Sequence, residues 1–384
     1  MRILFIADGR SPTAVNWIKY FVARGDQVHL VSTFPASPDL NLASLHILPL
    51  AFSQAASTPQ GAGKAGLLKR LVSTRARTKV RQWFGPLTLP RAARALRQII
   101  ADVRPDLVHA LRIPYEGMLA ALADPAAPLI VSVWGNDFTL HGEATPLMRA
   151  YTRRTVQRID ALLADCRRDI RLAKEWGFPT EKPNLVLPGA GGLQPDIFYP
   201  PPQPVQAPLV INPRGLRAYV RNDTFFKALP LVLAARPEAR FLCNTMAGEP
   251  QAERWVSELG LEDVVTLLPL QSREAMGDLF RKAQVVVSPS EHDGTPNSLL
   301  EAVACGCFPV AGDIESIREW ITDGENGLLV DPGDPAALAD AILRGLNDQA
   351  LRKKAGEINQ ALIAERAEYG RVMGQAGAFY EGIV

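Results

Sequence analysis

Residues 288–306, with the sequence SPSEHDGTPNSLLEAVACG, constrain the fold of this chain more than any other stretch. They follow residues 283–287, a short apolar run typical of a buried parallel strand. Thr295 is a good N-cap, Pro296 suits the first helical position, and Gly306 is a typical helix stop. The pattern therefore predicts a strand, a loop and a short helix, as in an α/β protein with a parallel sheet.

The start of this helix has the features of an anion site. The backbone N–H groups of Asn297, Ser298 and Leu299 are expected to point out of the helix N-terminus, beyond the C-terminal end of the strand. Asp293 precedes the helix and Glu301 lies inside it. An anion site between two carboxylates suits a sugar nucleotide, because the helix would bind the phosphates and the acids would bind hydroxyl groups.

Asp293 and Glu301 also have the spacing of the E-x7-E signature of the retaining glycosyltransferases of family 4, which have the GT-B fold. The sequence from Asp293 through residues 314–342 resembles that family closely, and the N-terminal half resembles it more loosely. Asp293 stands at the first Glu position, so its carboxylate is one methylene shorter. The resemblance implies that Asp293 contacts the donor sugar at the catalytic centre and that Glu301 binds the ribose. The remaining donor-binding residues that it implies here are Gly294, Thr295, Pro296, Asn297, Ser298 and Leu299.

The length of 384 residues exceeds one ordinary hydrophobic core and predicts two domains. A proline-rich stretch at residues 195–208 marks the boundary. The fold class is predicted as α/β, with two Rossmann-like doubly wound domains facing a cleft, as in GT-B proteins. Residues 1–195 would form the acceptor-side domain and 205–365 the nucleotide-sugar-binding domain. The resemblance implies that a C-terminal helix in 366–384 packs back on the first domain.

Two arginines of the second domain are candidates for binding a diphosphate. The family has a G-R pattern followed by E-K-G, and its Arg and Lys hold the phosphates. Arg214 matches that Arg directly after the strand at 209–211, and Arg221 stands near the Lys position. A loop arginine in water remains the plain alternative for Arg217. Gly248, in a turn near the nucleotide, and Leu270, in a loop near the base, complete the donor-binding residues that the resemblance implies.

In the first domain, polar residues follow three predicted strands. Gly9, Arg10 and Ser11 follow residues 3–7, and the resemblance implies that this loop faces the cleft, which makes them candidates for donor phosphate or acceptor contact, although an ordinary βα turn explains them equally well. His109 ends the strand at 107–109 and is a candidate general base or a structural histidine.

Trp134 follows the strand at 129–133, where many relatives have a histidine. It is expected to stack on a sugar or to fill the core. Asn136 and Asp137 are candidates for binding hydroxyl groups, and we include Asp137 with Asp293 and His109 among the candidate catalytic residues.

Residues 64–84 combine cations with apolar side chains and end in Trp83 and Phe84. Such a basic amphipathic segment is suited to the surface of an anionic membrane. The alternative is a solvated helix that covers the sheet. A formal charge of +2 gives no global field that would favour nucleic acid. The four cysteines lack metal-ligand spacing and are expected to be reduced thiols of a cytoplasmic protein, with a peripheral membrane contact through 64–84.

These observations predict a retaining transferase that moves a sugar from a nucleotide diphosphate donor to a hydroxyl acceptor, which is a glycolipid, a polysaccharide precursor or a small molecule. No metal or other cofactor is expected, because arginines and the helix N-terminus would neutralise the diphosphate. One alternative is a GT-B nucleotide-sugar epimerase, which the low histidine content disfavours. The other is a relative that binds nucleotide sugars without catalysis, which the shorter Asp293 and the Trp134 substitution favour.

Overall fold

The computed structural model of the chain describes residues 1–51, 74–217 and 219–384, and for 74–78 the backbone alone. The described residues form two compact units. The N-terminal unit consists of Met1–Gly191 and Val372–Val384, and the C-terminal unit consists of Gly192–Arg371. Each contains a parallel sheet with helices, which confirms the predicted pair of Rossmann-like α/β domains.

The sheet of the N-terminal unit has the order β3-β2-β1-β4-β5-β6-β7. Its strands are β1 (Arg2–Ala7), β2 (Gln27–Ser32), β3 (Ser44–Ile47), β4 (Leu107–Ala110), β5 (Leu129–Val133), β6 (Ala161–Ala164) and β7 (Asn184–Val186). Its described helices are Pro12–Ala23, Thr74–Phe84, Leu89–Val103, Met118–Ala123, Pro146–Arg158 and Arg167–Glu175. The central strands are almost wholly apolar and buried, as expected for a parallel sheet covered on both faces.

The sheet of the C-terminal unit has the order β10-β9-β8-β11-β12-β13. Its strands are β8 (Leu209–Asn212), β9 (Arg240–Cys243), β10 (Val265–Leu267), β11 (Val285–Ser288), β12 (Phe308–Gly312) and β13 (Leu328–Val330). The described helices that follow Arg221 are Asn222–Ala235, Pro250–Glu258, Arg273–Phe280, Asn297–Ala304, Glu315–Arg318, Pro335–Asn347, Gln349–Arg366 and Tyr369–Glu381, the last of which continues into the N-terminal unit.

Each sheet has one place where the strand order reverses. In the N-terminal unit the chain builds outward from β1 through β2 and β3, then returns to place β4 on the other side of β1. In the C-terminal unit the same reversal lies between β8 and β11. The loops that leave two such strands diverge at their carboxyl ends, so a crevice opens between them, and ligands of doubly wound proteins bind there.

The helix after β11 begins one residue later than the sequence indicates. It runs from Asn297 to Ala304, and Pro296 precedes it where Thr295 was the predicted N-cap. The reason is a tight turn, because the Asn297 N–H donates to the Thr295 carbonyl at 2.9 Å and the Leu299 N–H donates to the Pro296 carbonyl at 2.8 Å. Gly306, with φ of 88°, has the left-handed conformation expected just beyond the helix end. No helix among the described residues is both long enough and apolar enough to cross a membrane.

Candidate functional sites

The crevice of the C-terminal unit holds an ion pair between two predicted donor-binding residues. Arg214 follows β8 and Asp293 follows β11, and Arg214 Nη1 lies 2.5 Å from Asp293 Oδ2. Both side chains are mostly buried, with 12% and 13% of their surface exposed. Burial acts against the charge of Arg214, but Asp293 and Tyr219 together outweigh it, so the pKa of Arg214 is raised above its usual value. The pair lies at the strand reversal of its sheet.

Neighbouring groups fix both members of this pair. Arg214 Nη2 lies 3.5 Å from the hydroxyl of Tyr219. Asp293 Oδ1 accepts a hydrogen bond from the Gly294 N–H at 3.1 Å, and the Ser316 hydroxyl donates to the Asp293 carbonyl at 2.7 Å. These hydrogen bonds hold the two charged side chains and the loop that carries Asp293 in place.

The helix that begins at Asn297 offers fewer free donors than predicted. The N–H groups of Asn297 and Leu299 already donate to carbonyls of Thr295 and Pro296, so the expectation that they are free is wrong. The same tight turn that shifts the helix start is responsible. Thr295 and Gly294 are buried beside it.

Glu301 lies inside this helix with 17% of its side chain exposed, and its Oε1 lies 3.3 Å from Arg273 Nη2. Burial raises the pKa of Glu301 to about 7, while Arg273 acts in the opposite direction. The carboxyl group is therefore close to half protonated at neutral pH. It has spare capacity for hydroxyl donors, which favour the ionised form.

The other predicted donor-binding residues of this unit have different surroundings. The Arg221 guanidinium binds Asp223 through two contacts of 2.9 Å and Glu291 through one of 2.8 Å, so two carboxylates already compensate its charge. Gly248 has φ of 74° in an open turn, and the Leu270 side chain is 78% exposed. Of these residues, only Arg221 is engaged in a charge network.

The crevice of the N-terminal unit contains a cavity of about 250 Å³. Loops that follow β1, β4 and β5 supply most of its wall. The lining residues are Asp8, Ser11, Phe34, Arg81, Gln82, Leu111, Arg112, Pro114, Tyr115, Glu116, Trp134 and His141. Ser11 and Trp134 are predicted acceptor-side residues that follow β1 and β5, the two strands on either side of β4, and both line this cavity.

The turn after β1 is built around Gly9 and Arg10. A Cβ on Gly9 would lie 2.9 Å from both Ala36 Cβ and Ser32 Oγ, so only glycine allows this close approach. Arg10 pairs with Asp8 at 2.9 Å, and its guanidinium lies 3.6 Å above the ring of Phe34. Ser11 caps the helix Pro12–Ala23 through its side chain.

Asp137 is a positioning residue in this structure. Its carboxylate has no exposed surface and accepts hydrogen bonds from Arg112 Nη2 at 2.8 Å, from the Ile113 N–H at 2.9 Å and from the Trp134 N–H at 3.2 Å. The predicted contact between Asp137 and a substrate hydroxyl is therefore wrong for this structure, because three protein donors occupy the carboxylate. Asn136 Oδ1 is buried without a hydrogen-bond partner in the part of the chain that is described.

His109 is a structural histidine in the core of the N-terminal unit. It is fully buried, one ring nitrogen contacts the Tyr380 hydroxyl, and the other lies 2.8 Å from Ser132 Oγ. Burial lowers the pKa of His109 to about 3, so the ring is neutral. The interpretation of His109 as a general base is wrong here, since both nitrogens are bound inside the core. Tyr380 comes from the C-terminal segment and also accepts from Trp17 Nε1 at 2.9 Å.

Sequence reasoning missed the segment after β4, which carries Arg112, Tyr115 and Glu116. Arg112 and Tyr115 have φ of 131° and 71°, a conformation that side chains with a Cβ rarely adopt. Such strain concentrates at functional sites. The sequence RIPYEG offers a signal in its polar residues directly after a buried strand, but nothing in it indicates the backbone conformation.

Of the predicted basic segment 64–84, residues 64–73 lie outside the described residues. Thr74–Phe84 is a helix, and its last turns expose Val80, Trp83 and Phe84 by 52%, 56% and 54%. These side chains form an exposed apolar surface beside basic residues. Such a surface is compatible with a membrane contact and with a solvated helix that covers the sheet.

Within the described residues, one buried group has the composition of a metal site, namely Asp165, Cys166 and Asp169. Arg168 Nη2 lies 2.7 Å from Asp169 Oδ1 and compensates its charge. Burial, followed by the proximity of Asp169, raises the pKa of Asp165 well above its usual value. Asp165 also accepts hydrogen bonds from the Gly135 N–H at 3.3 and 3.4 Å, so both carboxyl groups already have protein partners and the group fits a structural role. All four cysteines are buried and form no disulfide, in agreement with the predicted free thiols.

Comparison with known proteins assigns both units. The family described as "Glycosyl transferase 4-like domain" matches residues 8–189, and the family "Glycosyl transferases group 1" matches residues 195–361. Two curated relatives are named D-inositol 3-phosphate glycosyltransferase. The one from Thermobispora bispora is 27% identical over 49% of this chain and 48% of its own length. The one from Xylanimonas cellulosilytica is 29% identical over 51% and 50%. The chain thus spans about half the length of these relatives.

Solved structures share the fold over the whole chain. Sucrose-phosphate synthase from Thermosynechococcus elongatus has a TM-score of 0.74 at 18% identity, covering 100% of this chain and 99% of its own. HepE from Anabaena, in complex with UDP and glucose, has a TM-score of 0.73 at 16% identity and covers 100% of both chains. At these identities the likeness concerns the fold alone.

Proposed function

The chain belongs to the family 4 glycosyltransferases of the GT-B fold, and on that premise we propose that it transfers a sugar from a nucleotide diphosphate donor to a hydroxyl acceptor with retention of the anomeric configuration. The observation that carries this proposal is the ion pair of Arg214 and Asp293 at the strand reversal of the C-terminal unit. A guanidinium is suited to bidentate binding of phosphate oxygens, and a carboxylate accepts hydrogen bonds from hydroxyls.

The energetics of the pair select for a ligand with both chemical groups. Leaving one member of a buried ion pair without a partner costs on the order of 3–5 kcal/mol. A free phosphate would engage Arg214 but give Asp293 no hydroxyl donor in exchange for the guanidinium, and a free sugar would do the opposite. A nucleotide sugar brings an anion for Arg214 and hydroxyl donors for Asp293, so both partners are replaced at once.

Glu301 fits the binding of the nucleoside part. Among the described residues, its mostly buried carboxyl accepts a single contact of 3.3 Å, from Arg273, and ribose hydroxyls would supply further donors. UDP and UDP-glucose are bound by HepE, a structural neighbour, so uridine nucleotides are the first donors to test. The relatives' name, D-inositol 3-phosphate glycosyltransferase, places small polyol acceptors beside glycolipids and polysaccharide precursors in the acceptor panel.

The proposed reaction requires no metal, because Arg214 supplies the positive charge that the leaving diphosphate needs. The bond from the anomeric carbon to the phosphate oxygen breaks, and the acceptor oxygen bonds to the same face of that carbon. The acceptor proton passes to the leaving phosphate. This route fits the burial of His109 and Asp137, whose side chains are bound by protein groups and supply no base.

The test is turnover of a panel of sugar nucleotides with hydroxyl acceptors, in the presence and absence of a chelator, with the product anomer determined by proton NMR. We expect transfer with retention and no effect of the chelator. An epimerised nucleotide sugar would establish the epimerase alternative, and nucleotide binding without turnover would establish the non-catalytic one. An inverted product would contradict the retaining mechanism.

A further inference from the structure

The cavity of the N-terminal unit contains an acidic and a basic side chain whose hydrogen-bonding capacity the described residues do not use fully. Glu116 is 2% exposed, and its Oε1 accepts a hydrogen bond from the Thr33 hydroxyl at 2.6 Å. Its Oε2 has no hydrogen-bond partner among the residues that the structure describes. A buried carboxyl oxygen without a hydrogen-bond partner is unfavourable, so the cavity favours a ligand that donates a hydrogen bond there.

Arg81 is the second such group. Its guanidinium lies 4.4 Å from the centre of the Tyr115 ring and 5.1 Å from that of Phe34. In the described ranges, no carboxylate lies within ion-pair distance of Arg81, and its Nε has no hydrogen-bond partner. Arg81 is thus held against aromatic rings in the wall of the cavity and forms no ion pair with the described residues, although its charge opposes the burial that raises the pKa of the nearby Glu116.

The electrostatic potential in the cavity is positive near His141, because the charges of Arg112 and Arg81 act on it. Burial lowers the pKa of His141 to about 3, and the charges of Arg112 and Arg81 lower it further in the same direction. Arg112 is paired with Asp137 but keeps 33% of its side chain exposed. An anionic group placed near these two guanidinium groups would be stabilised, and His141 stays neutral beside it.

The walls and size of the cavity restrict the ligand further. Phe34, Tyr115 and Trp134 contribute aromatic faces, and the volume of about 250 Å³ lies below the ~300–1,000 Å³ typical of drug-sized ligands. Polar groups between aromatic walls suit a single hydroxylated ring. An uncharged ring would leave Arg81 without a counter-ion, and a free phosphate would leave Glu116 without sufficient donors.

We propose that this cavity binds a small hydroxylated acceptor that carries a phosphate or a carboxylate, with Arg81 binding the anionic group and Glu116 accepting a hydrogen bond from a hydroxyl. The ligand is called an acceptor on the basis of the proposed function. The binding itself is a property of the N-terminal unit's own residues, so it is measured without any donor.

The experiment is calorimetry on the full chain in the absence of nucleotide. The panel consists of hexose phosphates, cyclitol phosphates, hexuronates, their uncharged counterparts and inorganic phosphate. We expect at least one anionic ring compound to bind tenfold or more tightly than both its uncharged counterpart and inorganic phosphate. Comparing the phosphates with the hexuronates identifies which anionic group the site takes.

Variants assign the two contacts. Arg81→Gln is expected to weaken binding of the anionic compound by about tenfold to a hundredfold and to abolish the preference over the uncharged counterpart. Glu116→Gln is expected to weaken the binding of both the anionic compound and its uncharged counterpart. Arg94→Gln, on the exposed face of Leu89–Val103, is the matched control and is expected to change nothing. If Glu116→Gln fails to fold, as judged by thermal unfolding, Arg81→Gln decides alone.

The proposal is overturned if no anionic compound binds more tightly than its uncharged counterpart, or if Arg81→Gln and Arg94→Gln behave alike. Nucleotide-sugar binding is measured on the same preparations. Retained donor binding without cavity binding would overturn this inference alone. Cavity binding without donor binding would overturn the proposed function, whereas the inferred binding site for an anionic polyol would be confirmed.

Discussion

Replacing Glu301 by glutamine tests whether the carboxyl group of this residue, in the helix Asn297–Ala304, is mostly buried and has a raised pKa. Burial raises the pKa of Glu301 from an ordinary 4.5 to about 7. Between these two pH values the folded chain binds more protons than the unfolded chain, so its free energy of unfolding falls as the pH rises. The contribution of Glu301 is fully present below pH 4.5 and is lost above pH 7.

The size of this effect follows from the shift. A difference of about 2.5 pKa units at ~1.4 kcal/mol per unit gives roughly 3 kcal/mol, most of it between pH 5 and pH 8. Glu301→Gln removes the titrating group but keeps a side chain of the same shape. Relative to the wild type, the variant is therefore expected to become more stable by about 2–3 kcal/mol as the pH rises across this range.

Hydrogen exchange of peptides from residues 273–312 measures this free energy within the C-terminal unit of the full chain. Glu357→Gln, an exposed glutamate of Gln349–Arg366, is the control, and its difference from wild type should stay within about 0.5 kcal/mol at every pH. A difference between Glu301→Gln and wild type that does not change with pH would refute the assigned burial and pKa of Glu301.

Nucleotide binding supplies an independent readout of the same group. Ribose hydroxyls favour the ionised carboxylate, so wild-type affinity for a nucleotide diphosphate sugar, which has no terminal phosphate that titrates in this range, should rise up to about tenfold per pH unit below pH 7 and then level off. The variant should show no such slope. An identical slope in both proteins would mean that Glu301 does not contact the nucleotide.

Three further predictions concern the donor site and the surface. Arg214→Gln should weaken nucleotide diphosphate binding at least tenfold more than Arg217→Gln, because Arg217 is exposed, and equal losses by calorimetry would mean that the phosphate contact is misassigned. Asp293→Asn should keep measurable transfer while Asp293→Ala loses far more, since the amide still accepts hydrogen bonds; a glycosyl adduct on Asp293 by mass spectrometry would contradict this. The segment 64–84 should bring the protein to anionic vesicles in flotation assays, and Trp83→Ser with Phe84→Ser should reduce it; equal flotation with neutral vesicles would reject the membrane contact.

The class of fold could be predicted from the sequence because it depends on local patterns. Short apolar runs separated by helical stretches indicate parallel sheets, and the structure confirms two of them. The donor-binding candidates Arg214 and Asp293 follow from the resemblance of short local motifs, and they lie in the loops after β8 and β11. Their ion pair was not predicted, because it joins residues 79 positions apart and depends on which strands are neighbours.

Long-range partners also explain the interpretations that failed. His109 ends a strand, as a catalytic histidine would, but Tyr380 lies 271 positions away and occupies its ring nitrogen. Asp137 has a carboxylate suited to binding hydroxyl groups, but Arg112 and two backbone N–H groups already donate hydrogen bonds to it. Burial and competition for hydrogen bonds are properties of the folded chain, and the residue type alone does not carry them.

Arg214 is proposed to bind the diphosphate of a nucleotide sugar, and Asp293 is proposed to bind its sugar. A crystal structure with a bound nucleotide diphosphate sugar tests these two contacts most directly. We expect diphosphate oxygens within about 3 Å of the Arg214 guanidinium and hydroxyls of the donor sugar within about 3 Å of the Asp293 carboxylate. A bound donor that leaves the Arg214–Asp293 contact at 2.5 Å and touches neither side chain would contradict the account.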